Sequence, residues 1–253
     1  MDLTREQMEK VAVVIQEHIK KQTKQSMIEY DKTLSAVVDK LEACGWTLPT
    51  ELGIYAQALF LYDDLVKEYG NEQGKQLYAL MCKKFAYLCE KEMKSENNEI
   101  NEHVFQRMLP TISMYLTLIE NDFTQEEALM IAHKEIQHHA RNMAEENAKL
   151  KKMPFTYGLF KMFAKSHMKK KYPIEGFTVE WKRNDSNEIH FDIARCLYRD
   201  MCEKYCCPEL CTVFCQSDIT AFSGYEPKIR FERAGTLGEG ADCCDFHFIH
   251  GSH

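Results

Sequence analysis

Apolar residues recur every three or four positions through roughly the first 150 residues, then change to strict alternation. Met8, Val11, Ala12, Ile15 and Ile19 share one helical face, and Leu34, Val37, Val38 and Leu41 share another. Thr47-Leu48-Pro49-Thr50 interrupts this pattern, and Thr50 is placed to cap a helix carrying Tyr55, Leu59, Tyr62 and Leu65 on one side. Gly70-Asn71 should end that helix, because glycine takes the left-handed conformation that stops one. Residues 72–93 predict a further helix and polar 94–101 a surface loop. An apolar helix follows over 104–120. Thr124, with Glu127 three residues on, forms a capping box for a helix reaching about 149.

The alternating part begins after Tyr172-Pro173. Phe177, Val179 and Trp181 alternate with polar neighbours, Asn184-Asp185-Ser186-Asn187 reads as a turn, and Ile189, Phe191 and Ile193 alternate again. This predicts a β-hairpin. Residues 197–206 read as a helix stopped near Pro208, and 209–215 as a short second helix with Pro208 in its first turn. Ile229, Phe231 and Arg233 share one strand face, Gly235, Gly238 and Gly240 mark a turn, and Cys244, Phe246 and Phe248 share the face of a last strand. A long helical part followed by β-β-α-α-β-β implies an α+β protein, with an antiparallel sheet packed against helices. The division read from this pattern is a helical region over 1–171 and a cysteine-rich α+β domain over 172–250. Residues 251–253 resemble a tag remnant. The helical region is expected to pack over the sheet, with Phe155, Tyr157, Phe160, Met162 and Phe163 as wall or core residues. A homodimer is a further arrangement that such amphipathic helices support.

Charge changes the picture by exclusion. A formal net charge of −7 leaves no broad basic face for nucleic acid. Lysines dominate 149–171 with no acid among them, which reads as a solvated face rather than a membrane patch. The start of the chain has no basic segment leading into an apolar run, and no stretch has 18 uninterrupted apolar residues. These features point to a cytoplasmic protein without membrane or nucleic-acid partners.

The 11 cysteines are unevenly placed: three lie before residue 100, and eight fall between Cys196 and Cys244. Cys211, Cys215 and Asp218 lie at i, i+4 and i+7 of one helix face if the helix after Pro208 continues. Cys196 stands where a strand gives way to a helix, and helix N-termini lower thiol pKa values. Cys244 and Asp245 enter the last strand on opposite faces. Cys202, Cys206, Cys207 and Cys243 read as core filler or bystanders. A zinc ribbon needs two C-x₂₋₄-C knuckles. Cys207, Cys211 and Cys215 instead fall on or beside a predicted helix with no second knuckle, so no metal or other cofactor is expected. His133, His138 and His139 do not form a zinc-binding helix motif. His190 and His247 point away from the apolar strand faces and stand to meet near Asp245.

Several stretches resemble the L-2-amino-thiazoline-4-carboxylic acid hydrolase family. They are Phe191-Asp192-Ile193-Ala194-Arg195-Cys196-Leu197-Tyr198, Cys207-Pro208-Glu209-Leu210 and Phe214-Cys215-Gln216-Ser217-Asp218, then 230–240 and Cys243-Cys244-Asp245-Phe246-His247-Phe248. The resemblance is strong over 172–248. It implies ring-opening hydrolysis of 2-amino-thiazoline-4-carboxylate, a small-molecule substrate, to N-carbamoyl-L-cysteine. It also suggests Cys196, Cys215, Asp218 and Cys244 as catalytic candidates. Arg233, Asp245 and His247 are candidates for substrate binding, with Arg233 as a bidentate carboxylate clamp. Two other readings stand beside it. One is a non-enzymatic ligand sensor, since the chain distantly resembles vinyl-reductase-like domains. The other is a cysteine-based metal or redox module.

Overall fold

The computed structural model describes residues 48–152 and 155–251. The helices expected over 3–45, and Cys44, lie outside the described residues. The chain divides into two compact units with a boundary between Thr124 and Gln125.

The first unit is helical. α1 (Leu48–Lys91) is broken at Gly70, whose φ of 80° and ψ of 170° no helix contains. The two expected helices therefore exist and meet at the expected glycine. Gly74 permits their close approach, since a β-carbon there would stand 2.6 Å from the Leu65 carbonyl oxygen. A short α2 (Asn98–Asn101) occupies the end of the expected loop, because the Asn97 side chain accepts the Glu99 amide and caps it. The next stretch, Glu102–Met108, is wound as a π-helix and leads into α3 (Leu109–Glu120). Pro110 has no amide hydrogen to give the preceding turn, and its ring would crowd that turn's carbonyl. Widening the helix ahead of it relieves both problems. Met81, Leu88, Met108, Leu109, Ile112 and Leu118 form the core of this unit.

The second unit holds the sheet. Its elements are α4 (Gln125–Leu150), α5 (Thr156–Lys171), β1 (Phe177–Asn184), β2 (Glu188–Cys196), α6 (Leu197–Lys204), α7 (Leu210–Ser223), β3 (Ile229–Glu232) and β4 (Cys244–His250). The sheet order is β1-β2-β4-β3, antiparallel throughout. The last strand is thus inserted between the hairpin and β3. Register pairs Phe191 with Phe246 and Ile193 with Cys244 on one face, and His190 with His247 and Asp192 with Asp245 on the other. The first face is the core: Phe177, Ile189, Phe191, Ile193, Cys244, Phe246 and Phe248 are all buried.

α7 lies on that core face, where Phe222 packs against Phe231 and Phe248 at ring separations of 4.8 and 4.9 Å. The expected helix over 209–215 therefore runs on to Ser223, because Phe222 and Ala221 extend its apolar stripe onto the sheet and against α4. α4 locks onto α7 through hydrogen bonds from Thr220 Oγ1 to Gln137 Oε1 and from Asn147 Nδ2 to the Ala221 carbonyl. Gly224 allows this approach, since a β-carbon would fall 2.1 Å from the Ala144 carbonyl oxygen. The cluster expected around α5 is only partly internal. Tyr157 is buried and stacks on His250 at 4.2 Å, and Phe160 meets Phe248 at 5.0 Å. Phe155, Met162 and Phe163 are 87%, 69% and 58% exposed. Met162 and Phe163 lie off the α5 face that carries Ala164 and Met168, which face inward, and Phe155 precedes the helix in the left-handed region.

α6 is shorter than expected and ends in a Schellman cap. The Cys207 amide donates to the Cys202 carbonyl at 2.9 Å and the Cys206 amide to Glu203 at 3.0 Å, with Cys206 in the left-handed region at φ 55°. No described helix is long and apolar enough to cross a membrane.

Candidate functional site

The core face of the sheet and the N-terminal half of α7 bring four cysteines to one place. Cys244 enters from β4, Cys196 from the end of β2, and Cys211 and Cys215 from successive turns of α7. The described cysteines are all free thiols. The Cys211 and Cys244 thiols adjoin Cys215, and Cys202 adjoins both Cys211 and Cys207. The loop after β3 closes over this row. A β-carbon at Gly238 would stand 3.1 Å from Cys211 Sγ and 3.2 Å from Cys215 Sγ, so a side chain there would press on both sulfurs. The Leu237 amide donates to Cys244 Sγ at 3.2 Å.

One thiol of the row is set apart electrostatically. Hydrogen bonds from Cys211 and Cys244 hold Cys215 well below the ordinary thiol range, helped by Thr236 and the Arg233 charge and opposed by burial. Its partners pay the converse. The bond to Cys215, and then burial, push Cys244 far up. Cys211 gains a lowering bond from Cys202, but its own bond to Cys215 and its burial outweigh that and leave it raised. Cys215 is thus the thiol of the group that is drawn down while its neighbours are pushed up. Thr236 is buried, and its hydroxyl lies between Cys215 and the Glu239 carboxylate, 2.9 Å away; its single proton serves one of the two at a time.

Arg233 sits beside this charge with its side chain only 5% exposed. Its Nη2 donates to Asp218 Oδ2 at 2.8 Å, Nη1 to the Cys215 carbonyl at 2.9 Å and Nε to the Asp245 carbonyl at 3.3 Å. The guanidinium lies over the rings of Phe246 and Phe231, at 4.1 and 5.1 Å from their centroids. These partners engage a donor on each of its three nitrogens, so the arginine is directed inward, to Asp218 and α7.

Cys196 is placed as expected, at the N-terminus of α6, and the amides of Tyr198 and Arg199 do draw its thiol down. Burial outweighs them, with Cys215 and Asp218 adding to the rise, and pushes it up to about 11. It is therefore a neutral thiol. Asp245 and His247 fall on the opposite face of the sheet from Cys215. There His247 lies 3.6 Å from His190, ring to ring, and 3.5 Å from Asp245 Oδ2. The Asp245 carboxylate accepts the amides of Ala234 and Gly235 at 2.9 Å each, which fixes the start of the loop that covers the thiols.

Tyr172 and Tyr198 are site neighbours that the sequence did not single out. Burial, then the charge of Asp218 and the nearby Tyr198, push the Tyr172 hydroxyl well up, so it stays protonated. Its place just ahead of the first strand was visible; its approach to Asp218 depends on how α5 hands the chain to β1. Among the described residues no group of His, Cys, Asp and Glu is arranged to hold a metal ion.

No curated protein and no solved structure matches this chain significantly. The family profile of L-2-amino-thiazoline-4-carboxylic acid hydrolase matches residues 101–248, more than half of the chain, and spans every thiol and charged group just described. The chain belongs to the L-2-amino-thiazoline-4-carboxylic acid hydrolase family.

Proposed function

We propose that this protein is a hydrolase that opens the ring of a small 2-amino-thiazoline, with Cys215 as nucleophile and 2-amino-thiazoline-4-carboxylate as the first substrate to test. The observation that carries the reading is the position of the Cys215 thiol among the Cys211 and Cys244 thiols and beside the Arg233–Asp218 pair, surroundings that draw it down. A thiolate is the reactive form of cysteine, and C2 of such a ring, between nitrogen and sulfur, is an electrophile.

The Cys215 thiolate adds to C2 and the C=N electron pair moves to the ring nitrogen, which takes a proton. Collapse re-forms the C=N bond and breaks the C2–S bond. The ring sulfur leaves as a thiolate and takes a proton from the neighbouring Cys244 or Cys211 thiol. An isothiourea remains on Cys215. Water, giving a proton to Asp218, adds to the same carbon, and a second collapse expels Cys215 as thiolate. The product is a urea, N-carbamoyl-L-cysteine, and the sum is addition of one water. In this scheme Arg233 and Asp245 are positioning residues. Arg233 holds Asp218, and Asp245 holds the loop. Cys196 is a neutral thiol at the edge of the site, and His247, on the far face, takes no part.

The test is incubation of 2-amino-thiazoline-4-carboxylate with the full chain and with the Cys215→Ala and Cys243→Ala variants, following the product by mass spectrometry. Turnover should be lost in Cys215→Ala, by about a thousandfold or more, and kept in Cys243→Ala. Turnover at the parent rate in Cys215→Ala would contradict the assignment. A ligand bound and recovered unchanged by the parent protein would favour a sensor.

A further inference from the structure

Two buried thiols of the second unit, Cys202 and Cys207, have no part in that scheme, and a third, Cys211, serves in it only as a proton donor. They continue the row inward from Cys215, and two of the three contacts have a backbone cause. Cys211 and Cys215 are four apart on α7, so their side chains stand on successive turns of one face. Cys202 and Cys207 are the two positions that a Schellman cap brings side chain to side chain, and the 2.9 Å bond from the Cys207 amide to the Cys202 carbonyl defines that cap. Cys202 lies between the two pairs, near enough to Cys207 and to Cys211 for both to act on its thiol. The result is a continuous line of sulfur, Cys215–Cys211–Cys202–Cys207, from the half-buried site thiol to the fully buried end of α6.

We propose that this line is a thiol–disulfide relay, which takes an oxidising equivalent received by Cys215 from a hydroperoxide and stores it as a Cys202–Cys207 disulfide. The relay does not depend on the hydrolase reading. It needs only a reactive thiol at its outer end and sulfurs in sequence behind it. In the first step the Cys215 thiolate attacks the peroxide O–O bond. Sulfur becomes a sulfenic acid, oxidised by two electrons, and the other peroxide oxygen leaves as hydroxide or alkoxide. The Cys211 thiol then attacks Cys215 sulfur, giving the Cys211–Cys215 disulfide and releasing water. Cys202 gives its proton to the released hydroxide or alkoxide, which becomes water or an alcohol, attacks Cys211 sulfur and expels Cys215 as thiolate, a leaving group that the site already stabilises. Cys207 attacks Cys202 in turn and expels Cys211, which recovers a proton. The two exchange steps are redox-neutral. Their net effect is to return Cys215 to its reduced form with the oxidation held at the α6 cap.

The alternative fate of an unprotected site thiolate is further oxidation to sulfinic and sulfonic acids, which exchange cannot reverse. Both alternative first partners have other commitments. Cys244 takes the Leu237 amide and leads only back to β4, while Cys196 sits behind the amides of α6.

The test uses the full chain, treated with an equimolar amount of hydrogen peroxide, quenched in acid, alkylated in denaturant and mapped by mass spectrometry. The expected product carries a Cys202–Cys207 disulfide, short by two hydrogens, with Cys215 alkylated as a free thiol. In Cys202→Ser the disulfide should stop at Cys211–Cys215. In Cys215→Ser, Cys202 and Cys207 should stay reduced under the same treatment. A Cys215–Cys244 disulfide, or Cys215 sulfinic acid as the main product of the parent protein, would overturn the relay. So would equal oxidation of Cys202 and Cys207 in Cys215→Ser. The parent digest alone is decisive should either variant fail to fold, and none of these readouts involves turnover of a thiazoline.

Discussion

Arg233 Nη2 and Asp218 Oδ2 lie 2.8 Å apart, joining the end of β3 to α7 with the arginine almost wholly out of water. Burial works against the charge on Arg233, and the paired carboxylate more than restores it. Removing one partner of such a pair leaves the other without compensation. Arg233→Met should therefore lower unfolding stability by about 3 kcal/mol, the range known for broken buried pairs. Urea unfolding measures it. Asp218→Asn should also destabilise, because the guanidinium it leaves is the more buried of the two charges, with the loss reduced by the hydrogen bond that the amide oxygen still accepts.

Asp245 acts from the far face of the sheet. Its carboxylate holds the Ala234 and Gly235 amides, and its own amide reaches the Gly235 carbonyl at 3.4 Å. Asp245→Ala should free the loop over 234–240, with a stability loss of about 1 kcal/mol for the lost hydrogen bonds. It should also slow alkylation of Cys215 at neutral pH, because Thr236 and Arg233 would no longer be held beside it. Parallel unfolding and alkylation measurements separate these effects.

Gly238 tests how tightly that loop covers the thiols. Its φ is ordinary, so alanine there meets only a steric obstacle: Cys211 Sγ at 3.1 Å, the Cys211 carbonyl carbon at 3.2 Å and Cys215 Sγ at 3.2 Å. Gly238→Ala should cost about 1–3 kcal/mol by overpacking. Any hydrolase activity should fall by more than the loss of stability explains, which a comparison of turnover below the unfolding transition would reveal.

Cys196 makes a prediction about alkaline pH. Its thiol is raised to about 11 in the fold, chiefly by burial, against about 8.5 in an unfolded chain. A group raised by folding gives its full stabilisation below the unfolded value and loses it as pH climbs to the folded one. The denaturant midpoint should therefore fall between about pH 8.5 and 11. The fall should be shallower in Cys196→Ser, with the neighbouring raised thiols accounting for what remains.

The hairpin, the α+β order and the face of Cys244 were legible because alternation of Phe177 to Trp181, Ile189 to Ile193 and Cys244 to Phe248 is a local property. The helix break at Gly70 was legible for the same reason. The full length of α7 was not, since its second half is fixed by Phe222 packing on Phe231 and Phe248 rather than by its own pattern. Nor was the pairing of Cys202 with Cys207, which read as filler. It arises because Cys206 adopts a left-handed conformation that sequence assigns more readily to glycine or asparagine. Arg233 looked like a hand held out to a substrate. Only the register of β3 beside β4 shows that it turns inward, over Phe246 and toward Asp218. The apolar residues around α5 were grouped by composition, but the helix sorts Tyr157 inward and Phe155 outward, a distinction that depends on where the helix starts.

The central claim is that the thiol cluster places its negative charge on Cys215. The direct measurement is the pH dependence of iodoacetamide alkylation at each cysteine of the folded chain, resolved by mass spectrometry. Cys215 should react as a thiolate from below neutrality, with a midpoint well under the ordinary thiol range, while Cys196, Cys211 and Cys244 stay unreactive until alkaline pH. A Cys215 midpoint at or above about 8.5, or prior alkylation of Cys244, would contradict the account.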